Sequence, residues 1–278
     1  MKFGIVSRTD KPAAVNFLRE LISYLKSKNL DIILETDTSL ALELPLPSMD
    51  IGEMEVDYLL TVGGDGTIIR ASMQLRNPGT PILGINMGSR GFLTEVEPND
   101  AKTAIDMVLE NEYNVEECLK LGSMSPSIKG RFPDALNEVL IASALPSKTL
   151  DMRLSVDGEF LFDVQADGFI IAPPTGSTAY NLSAGGSIIA PNVDSMILTA
   201  ICPYSYFRSI VIPSASTVKI ELLKPRVNAL VIIDGREYAA LKPKSIVEIF
   251  RSQHKTRFVR FKSFYHRLER RLFFRKML

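Results

Sequence analysis

The 278-residue chain has no tryptophan, two cysteines, two histidines and no excess of charge of either sign. Each shortage removes a class of function. Cys118 and Cys202 are too few and too far apart for a disulfide framework or a paired-cysteine metal site, so a reducing compartment is expected, with both residues as small buried hydrophobes. His254 and His266 both fall in the basic C-terminal fifth, which leaves zinc chemistry and Ser-His-Asp hydrolysis without their usual parts. Lys plus Arg and Asp plus Glu each count 32, so no global field favours nucleic acid, and any anionic ligand must be held locally. "MKFGIVSR" becomes charged too early for a secretory signal. The least charged stretch, Gly168 to Phe207, carries only Asp194 but is rich in Gly, Ser, Thr and Pro, unlike a bilayer span. The expectation is a cytoplasmic protein with neither a membrane nor a nucleic-acid partner.

What is present is a 46% apolar composition with two different periods. From Phe3 the chain reads as a strand, "FGIV", then as a helix, because Ala14, Phe17, Leu18, Leu21, Ile22 and Leu25 recur on one face. "DIILET", "DYLLTV" and "PILGIN" read as further strands, "TIIRASMQL" as a helix, and "AKTAIDMVLEN" as a helix capped by Asn99 or Asp100. Alternating strands and helices predict a parallel sheet with helices on its faces. Beyond about Tyr113 the pattern changes to short strands with two Asp-Gly turn signals, in "RLSVDGEFLFDV" and "LVIIDGREYAAL". The fold class is therefore α/β: a Rossmann-like domain over 1–112, a β-rich domain over 113–262 and a C-terminal amphipathic helix over 263–278. In that helix Phe264, Leu268, Leu272 and Phe273 share a face, and its arginines read as a solvated outer surface, with a phosphate or membrane patch as the alternative.

The segment "TVGGDGTIIRA" ends an apolar strand with glycines and starts a helix at once. In a parallel α/β sheet, ligands sit at the C-terminal ends of strands, where this turn is placed. Gly63, Gly64 and Gly66 permit positive φ and close approach, and their N–H groups, with a helix N-terminus at Thr67, make an anion site suited to phosphate. A carboxylate beside phosphate is repelled unless a cation bridges them or the carboxylate has a proton to accept. Both conditions describe phosphoryl transfer, which makes Asp65 the candidate base. The alternative is a tight connection in which Asp65 caps the next helix. The chain has neither a Walker sequence nor a GxGxxG fingerprint.

Two more stretches are polar without a core-forming period. In "DGFIIAPPTGSTAYNLSAGG" a strand ends at Pro173-Pro174 and hydroxyl residues follow from Thr175. Ser177, Thr178, Tyr180, Asn181 and Ser183 suit a base or ribose, and Gly176, Gly185 and Gly186 keep the backbone accessible; a long structural loop is the competing reading. In "LNEVLIAS" the adjacent Asn137 and Glu138 reach one ligand only from a bulge or a strand end, and surface alternation explains them as well.

Taken in order, "GGDGTIIRA", "NMGSRGFLTEV", "LNEVLI", "DGFIIAPPTGSTAYNLSAGGSIIAP" and "IIDG" resemble the NAD kinase family, over a span from Phe3 to about Phe261. "TGSTAYNLSAGG" is the most specific piece; "GGDGT" is shared with diacylglycerol and sphingosine kinases and, more loosely, phosphofructokinases. The resemblance implies an N-terminal Rossmann-like and a C-terminal β-rich domain with NAD in the cleft between them. It implies phosphoryl transfer from ATP or polyphosphate to the 2′-hydroxyl of the adenosine ribose, with Mg²⁺ or a similar divalent ion whose ligands the sequence does not name. Asp65 matches the family's catalytic aspartate, and Gly63, Gly64 and Gly66 the turn facing the phosphates. Asn137 and Glu138 match the pair holding the adenosine, Phe92 a ring lining the adenine pocket, and Thr178, Ala179 and Ser183 adenine contacts. Asp167 matches an acid on the nicotinamide side, and Tyr180 a tyrosine offered to a neighbouring subunit's ligand, which implies a homodimer or homotetramer. Asp234 matches a late acid near the ligand, although Asp-Gly is also what a hairpin needs. The rival readings are a lipid or sugar kinase on the same glycine turn and a non-catalytic dinucleotide sensor.

Overall fold

The computed structural model describes residues 1–88, 91–128, 130–223 and 227–273. They form two compact units, one of residues up to 117 with those from 256 onward, the other of 118–255. The change of period near Tyr113 lies close to the first division. The return of the chain to unit 1 from Thr256, ahead of the expected boundary at 262, left no mark in the pattern, because a strand's alternation does not say which sheet it joins.

In unit 1 the elements are β1 (Lys2–Ser7), α1 (Pro12–Ser27), β2 (Asp31–Glu35), α2 (Thr36–Leu42), β3 (Ser48–Met49), β4 (Tyr58–Gly63), α3 (Asp65–Gln74), β5 (Ile82–Asn86) and α4 (Ala101–Leu109). The strands pair in parallel in the order β5-β4-β1-β2-β3. Helix α1 starts with proline at its first turn and buries Ala14, Leu18, Leu21, Ile22 and Leu25, the stripe its spacing predicted. These side chains pack on Phe3, Ile5, Leu60 and Val62 of the sheet and on Ile105 and Val108 of α4. Each Leu or Ile of the stripe contributes about 1.5–3 kcal/mol by leaving water. Helix α2 was not expected: at seven residues it is too short to show a period, and it stops where Glu43 turns left-handed, φ 52°. Asp100 occupies the N-cap of α4 without a side-chain hydrogen bond, since a 3-10 turn over Pro98–Asp100 leads into the helix.

β6 (Asn114–Ser125) leads into unit 2, with β7 (Gly130–Arg131), β8 (Val139–Ser143), β9 (Leu150–Val156), β10 (Glu159–Ala166), β11 (Gly168–Ala172), α5 (Tyr180–Ser183), β12 (Ser195–Ile201), β13 (Ser209–Pro213), β14 (Val218–Leu222), β15 (Ala229–Ile233), β16 (Glu237–Leu241) and β17 (Ile246–Arg260). One antiparallel sheet has the order β13-β12-β11-β8-β15-β16. Both Asp-Gly signals are hairpin turns with two left-handed residues: Asp157 and Gly158 at φ 52° and 85°, Asp234 and Gly235 at 50° and 66°. Cys118 is buried as expected, but Cys202 is exposed, because it falls in the bend after β12 at φ 47°.

The described residues from Thr256 onward belong to unit 1, where Phe258 of β17 pairs with Ile82 of β5. The expected continuous amphipathic helix is replaced by α6 (Phe264–Leu268), capped by Ser263, and a π-helical turn over Glu269–Phe273. Positions 274–278 and the Phe273 side chain lie outside the described residues. The solvated arginine face is corrected in part: Arg270 is exposed, but Arg267 is 6% exposed and Leu272 37%. Buried carboxylates draw the arginine inward, since Arg267 donates to Glu116 at 2.5 Å and, with Arg260, flanks the fully covered Glu95 side chain. Among the described residues no helix is long and apolar enough to cross a membrane.

Candidate active site

The sequence-selected residues fall into two groups, one in each unit. In unit 1, β4 delivers the chain to Gly63 and α3 begins at Asp65, two residues before the expected start at Thr67. None of Gly63, Gly64 and Gly66 is among the glycines with positive φ, so left-handed backbone is not why glycine stands there. Space is the reason at Gly63, where a Cβ would lie 2.3 Å from Thr67 Oγ1. At Gly64, the N-cap, a Cβ would meet nothing within 4 Å, so the backbone there is open to an approaching group. The Thr67 N–H is already given to the Gly64 carbonyl at 3.0 Å, and its side chain is buried.

Asp65 does not cap its own helix. Its Oδ2 accepts the Phe92 N–H at 2.6 Å, and Oδ1 accepts the Leu93 and Thr94 N–H groups at 3.0 and 3.3 Å. The loop passes so close that a Cβ on Gly91 would sit 2.0 Å from Oδ1. A carboxylate offers about four acceptor directions. Three are used to fix its orientation, and among the described residues no donor takes the fourth. Phe92 therefore meets Asp65 through its backbone, while the Arg271 guanidinium stands 5.9 Å from its ring centroid. Of the "NMGSRG" stretch, Ser89 and Arg90 lie outside the described residues.

In unit 2, Asn137 and Glu138 occupy a bend just before β8, the strand-end placement that lets neighbours act together. Asp234 holds that bend: its carboxylate accepts the N–H groups of Leu136, Asn137 and Glu138 at 2.8, 2.8 and 2.9 Å. The left-handed turn that makes the hairpin thus also aims the carboxylate. The Thr175–Thr178 turn after β11 presses on the same bend, and a Cβ on Gly176 would lie 1.6 Å from the Asn137 carbonyl oxygen. Ser177 and Asn181 serve this packing. Ser177 donates to the Pro174 carbonyl at 2.5 Å and accepts from the Ile189 N–H at 2.9 Å; Asn181 ties Ser177, Ser187 and Thr199 together. Thr178 donates to the Thr175 carbonyl at 3.2 Å and Ala179 is half-buried, while Tyr180, Ser183 and Asp167 are exposed.

Burial and the neighbouring Asp234 charge push the Glu138 carboxyl up to about 7, against a backbone N–H from Tyr180 that favours the ionised form. Burial also raises Asp234, opposed by its three N–H partners and the charge of Lys120; burial in turn lowers Lys120. Two buried oxygens flanking the Gly176–Asn137 contact, Glu138 Oε2 and Thr175 Oγ1, have no hydrogen-bond partner among the described residues. Buried oxygens left in this way call for a ligand or water to complete them.

This arrangement is matched by a model of the ATP-NAD kinase N-terminal domain over residues 3–113 and one of the ATP-NAD kinase C-terminal domain over 136–261. The chain belongs to the NAD kinase family. The NAD kinase of Thermococcus kodakarensis is 38% identical over 269 residues, 94% of each chain, and that of Methanosphaera stadtmanae 38% identical over 277 residues, 98% of this chain and 99% of the relative. Among solved structures, an NAD kinase from Archaeoglobus fulgidus in complex with ATP superposes with a TM-score of 0.79 at 27% identity, covering 96% of this chain and 97% of the other. Yeast NADH kinase complexed with NADH shares the fold at a TM-score of 0.90 and 22% identity, over 100% of this chain and 89% of the other. Neither a lipid or sugar kinase nor a sensor finds support in these matches.

Three features of this NAD kinase escaped the sequence reading. The amides of Leu93 and Thr94 carry no side-chain signal. Lys120 looks like any strand residue until Asp134 and Asp234 are placed near it. Arg271 sits in a tail whose spacing suggested an exposed cation, yet its Nη2 donates to the Thr94 carbonyl at 2.7 Å and burial lowers its pKa.

Proposed function

We propose that the chain transfers the terminal phosphoryl group of ATP, or of polyphosphate, to the 2′-hydroxyl of the adenosine ribose of NAD, giving NADP. The observation that carries this reading is Asp65, a carboxylate held by three backbone amides at the C-terminal end of a parallel strand, with one acceptor direction that no donor among the described residues takes. In the reaction the ribose oxygen forms its bond to phosphorus as the bond from phosphorus to the donor's bridging oxygen breaks. The hydroxyl proton passes to Asp65, and the shortened donor leaves with the electron pair. Gly64 leaves the backbone near that carboxylate accessible to phosphate oxygens, while Gly63 lets Thr67 close on the turn and Gly66 continues it into α3. Asn137 and Glu138 hold the adenosine, with Thr178, Ala179 and Ser183 against the base. Asp167 lies toward the nicotinamide end, Thr175 supplies a hydroxyl, and Asp234 acts by fixing the Asn137–Glu138 bend.

A divalent ion fits as part of the donor. Among the described residues no three His, Cys, Asp or Glu side chains gather to hold a metal. Mg²⁺ on a nucleotide triphosphate needs few protein ligands, because phosphate oxygens and water fill most of its shell. The exposed Tyr180 supports a homo-oligomer in which that ring meets a neighbouring subunit's ligand.

The test is NADP formation from purified protein, NAD and Mg²⁺, with ATP and polyphosphate in separate reactions and an NADP-specific dehydrogenase as readout. NADP in either reaction, lost in Asp65→Asn, is the expected outcome. No NADP with NAD still bound by calorimetry refutes the reading.

A further inference from the structure

The C-terminal segment carries a second assignment. The loop that holds Asp65 through the amides of Phe92, Leu93 and Thr94 is itself held from its other side by the tail. Arg271 Nη2 donates to the Thr94 carbonyl at 2.7 Å and reaches Thr94 Oγ1 at 3.3 Å, and the guanidinium plane stands 5.9 Å from the centre of the Phe92 ring. One residue later along the same loop, Glu95 is locked as well. Its side chain is 1% exposed; it accepts the Phe261 and Lys262 N–H groups at 2.9 and 3.0 Å and pairs with Arg260 at 3.2 Å. Arg267 anchors the tail to Glu116 and lies 3.8 Å from Glu95.

We propose that Arg271 is a positioning residue for the Asp65 base, acting through the Phe92–Thr94 loop, so that the C-terminal segment is part of the phosphoryl-transfer machinery. Three points favour Arg271 over the remaining basic residues of the tail. It touches both ends of the three-residue run whose amides grip Asp65, by hydrogen bond at Thr94 and by its cationic face at Phe92. It is near enough to Asp65 for their charges to interact. Its Nη1 is buried with no hydrogen-bond partner among the described residues, an arrangement a purely structural arginine rarely keeps. A shift of the loop by about 1 Å moves the base relative to the hydroxyl it deprotonates, enough to cost on the order of 10²-fold in rate.

The proposal rests on Asp65 being the base, and the experiment separates the two. Arg271→Ala, Arg271→Lys, Asp65→Asn and the Asp65→Asn/Arg271→Ala double variant are made in the full chain. NADP formation is measured at saturating and limiting NAD, and amide exchange over the 91–96 peptide by mass spectrometry. Arg271→Ala is expected to lower kcat roughly 10- to 100-fold with KM for NAD within about threefold, and to speed exchange in that peptide. Arg271→Lys should regain part of the rate, since an ammonium still donates to the Thr94 carbonyl but cannot cover the ring. In the Asp65→Asn background the Arg271→Ala change should cost nothing further, as for residues acting as one unit. Equal losses in both backgrounds, a rise in KM in place of the fall in kcat, or unchanged exchange overturns the positioning role. Full turnover in Asp65→Asn alone overturns the base assignment first, and with it the catalytic half of the proposal. Should Arg271→Ala not fold, Arg271→Met keeps the apolar stem and carries the same test.

Discussion

Glu138→Gln should make the protein more stable at alkaline pH. The native carboxyl titrates at about 7 against an ordinary 4.5, because it is 8% exposed and faces Asp234. Between these values the native state keeps a proton that the unfolded chain has released, so stability is full below 4.5, falls as pH rises toward 7 and is level above it. The difference of about 2.5 pH units corresponds to roughly 3 kcal/mol. Glutamine keeps the volume and an acceptor for the Tyr180 N–H while removing the ionisation. The variant should therefore match the parent within about 0.5 kcal/mol near pH 4.5 and exceed it by up to about 3 kcal/mol at pH 8. In calorimetry that is a rise in Tm of roughly 6–10 °C at pH 8 and almost none at pH 4.5. The same variant should bind NAD more weakly, by about tenfold if one hydrogen bond to the ribose is lost. A Tm difference that stays constant from pH 4.5 to 8 would refute the buried, Asp234-facing carboxylate as the source. This balance is expected where a group is placed for a ligand at the expense of the empty protein.

Asp65→Asn should lower kcat about 10²- to 10⁴-fold while NAD affinity, read by calorimetry, changes far less. It should also loosen the Gly91–Val96 loop, because an amide NH₂ turned toward backbone N–H donors leaves buried groups unpaired at about 1–3 kcal/mol each. Gly176→Ala has no room 1.6 Å from the Asn137 carbonyl oxygen and should cost about 3 kcal/mol or more with loss of NAD binding, checked by thermal melts and calorimetry. Arg260→Ala removes one of the two arginines paired with Glu95 and Glu116 from a site 5% exposed, and urea unfolding should show a loss of about 3 kcal/mol.

Much of the architecture was legible because it is written in local periods. The stripe of α1, the runs in β1, β2, β4 and β5 and the two Asp-Gly hairpins depend on residues a few positions apart, where side-chain geometry and turn sterics act directly. Helix α2 was missed because seven residues hold too little period, and the tail was misread because Arg267 answers to Glu116 and Arg271 to Thr94, more than 140 positions away. The candidate site divides the same way. Asp65, the Asn137–Glu138 pair and the hydroxyl-rich turn stood out by composition, whereas the amides on Asp65 carry no residue type at all.

By itself, then, the sequence determined which residue types could do chemistry and where strands hand over to turns, since both depend on composition and near neighbours. Only the tertiary structure decided what each group is spent on. It closed Gly63 against Thr67 without left-handed backbone and turned Asp65 toward the 92–94 amides. It also consumed Ser177 and Asn181 in packing, and placed Asp234 under Glu138. Those assignments follow from satisfying buried hydrogen bonds and charges between segments distant in the chain, a requirement that exists only once the segments have met.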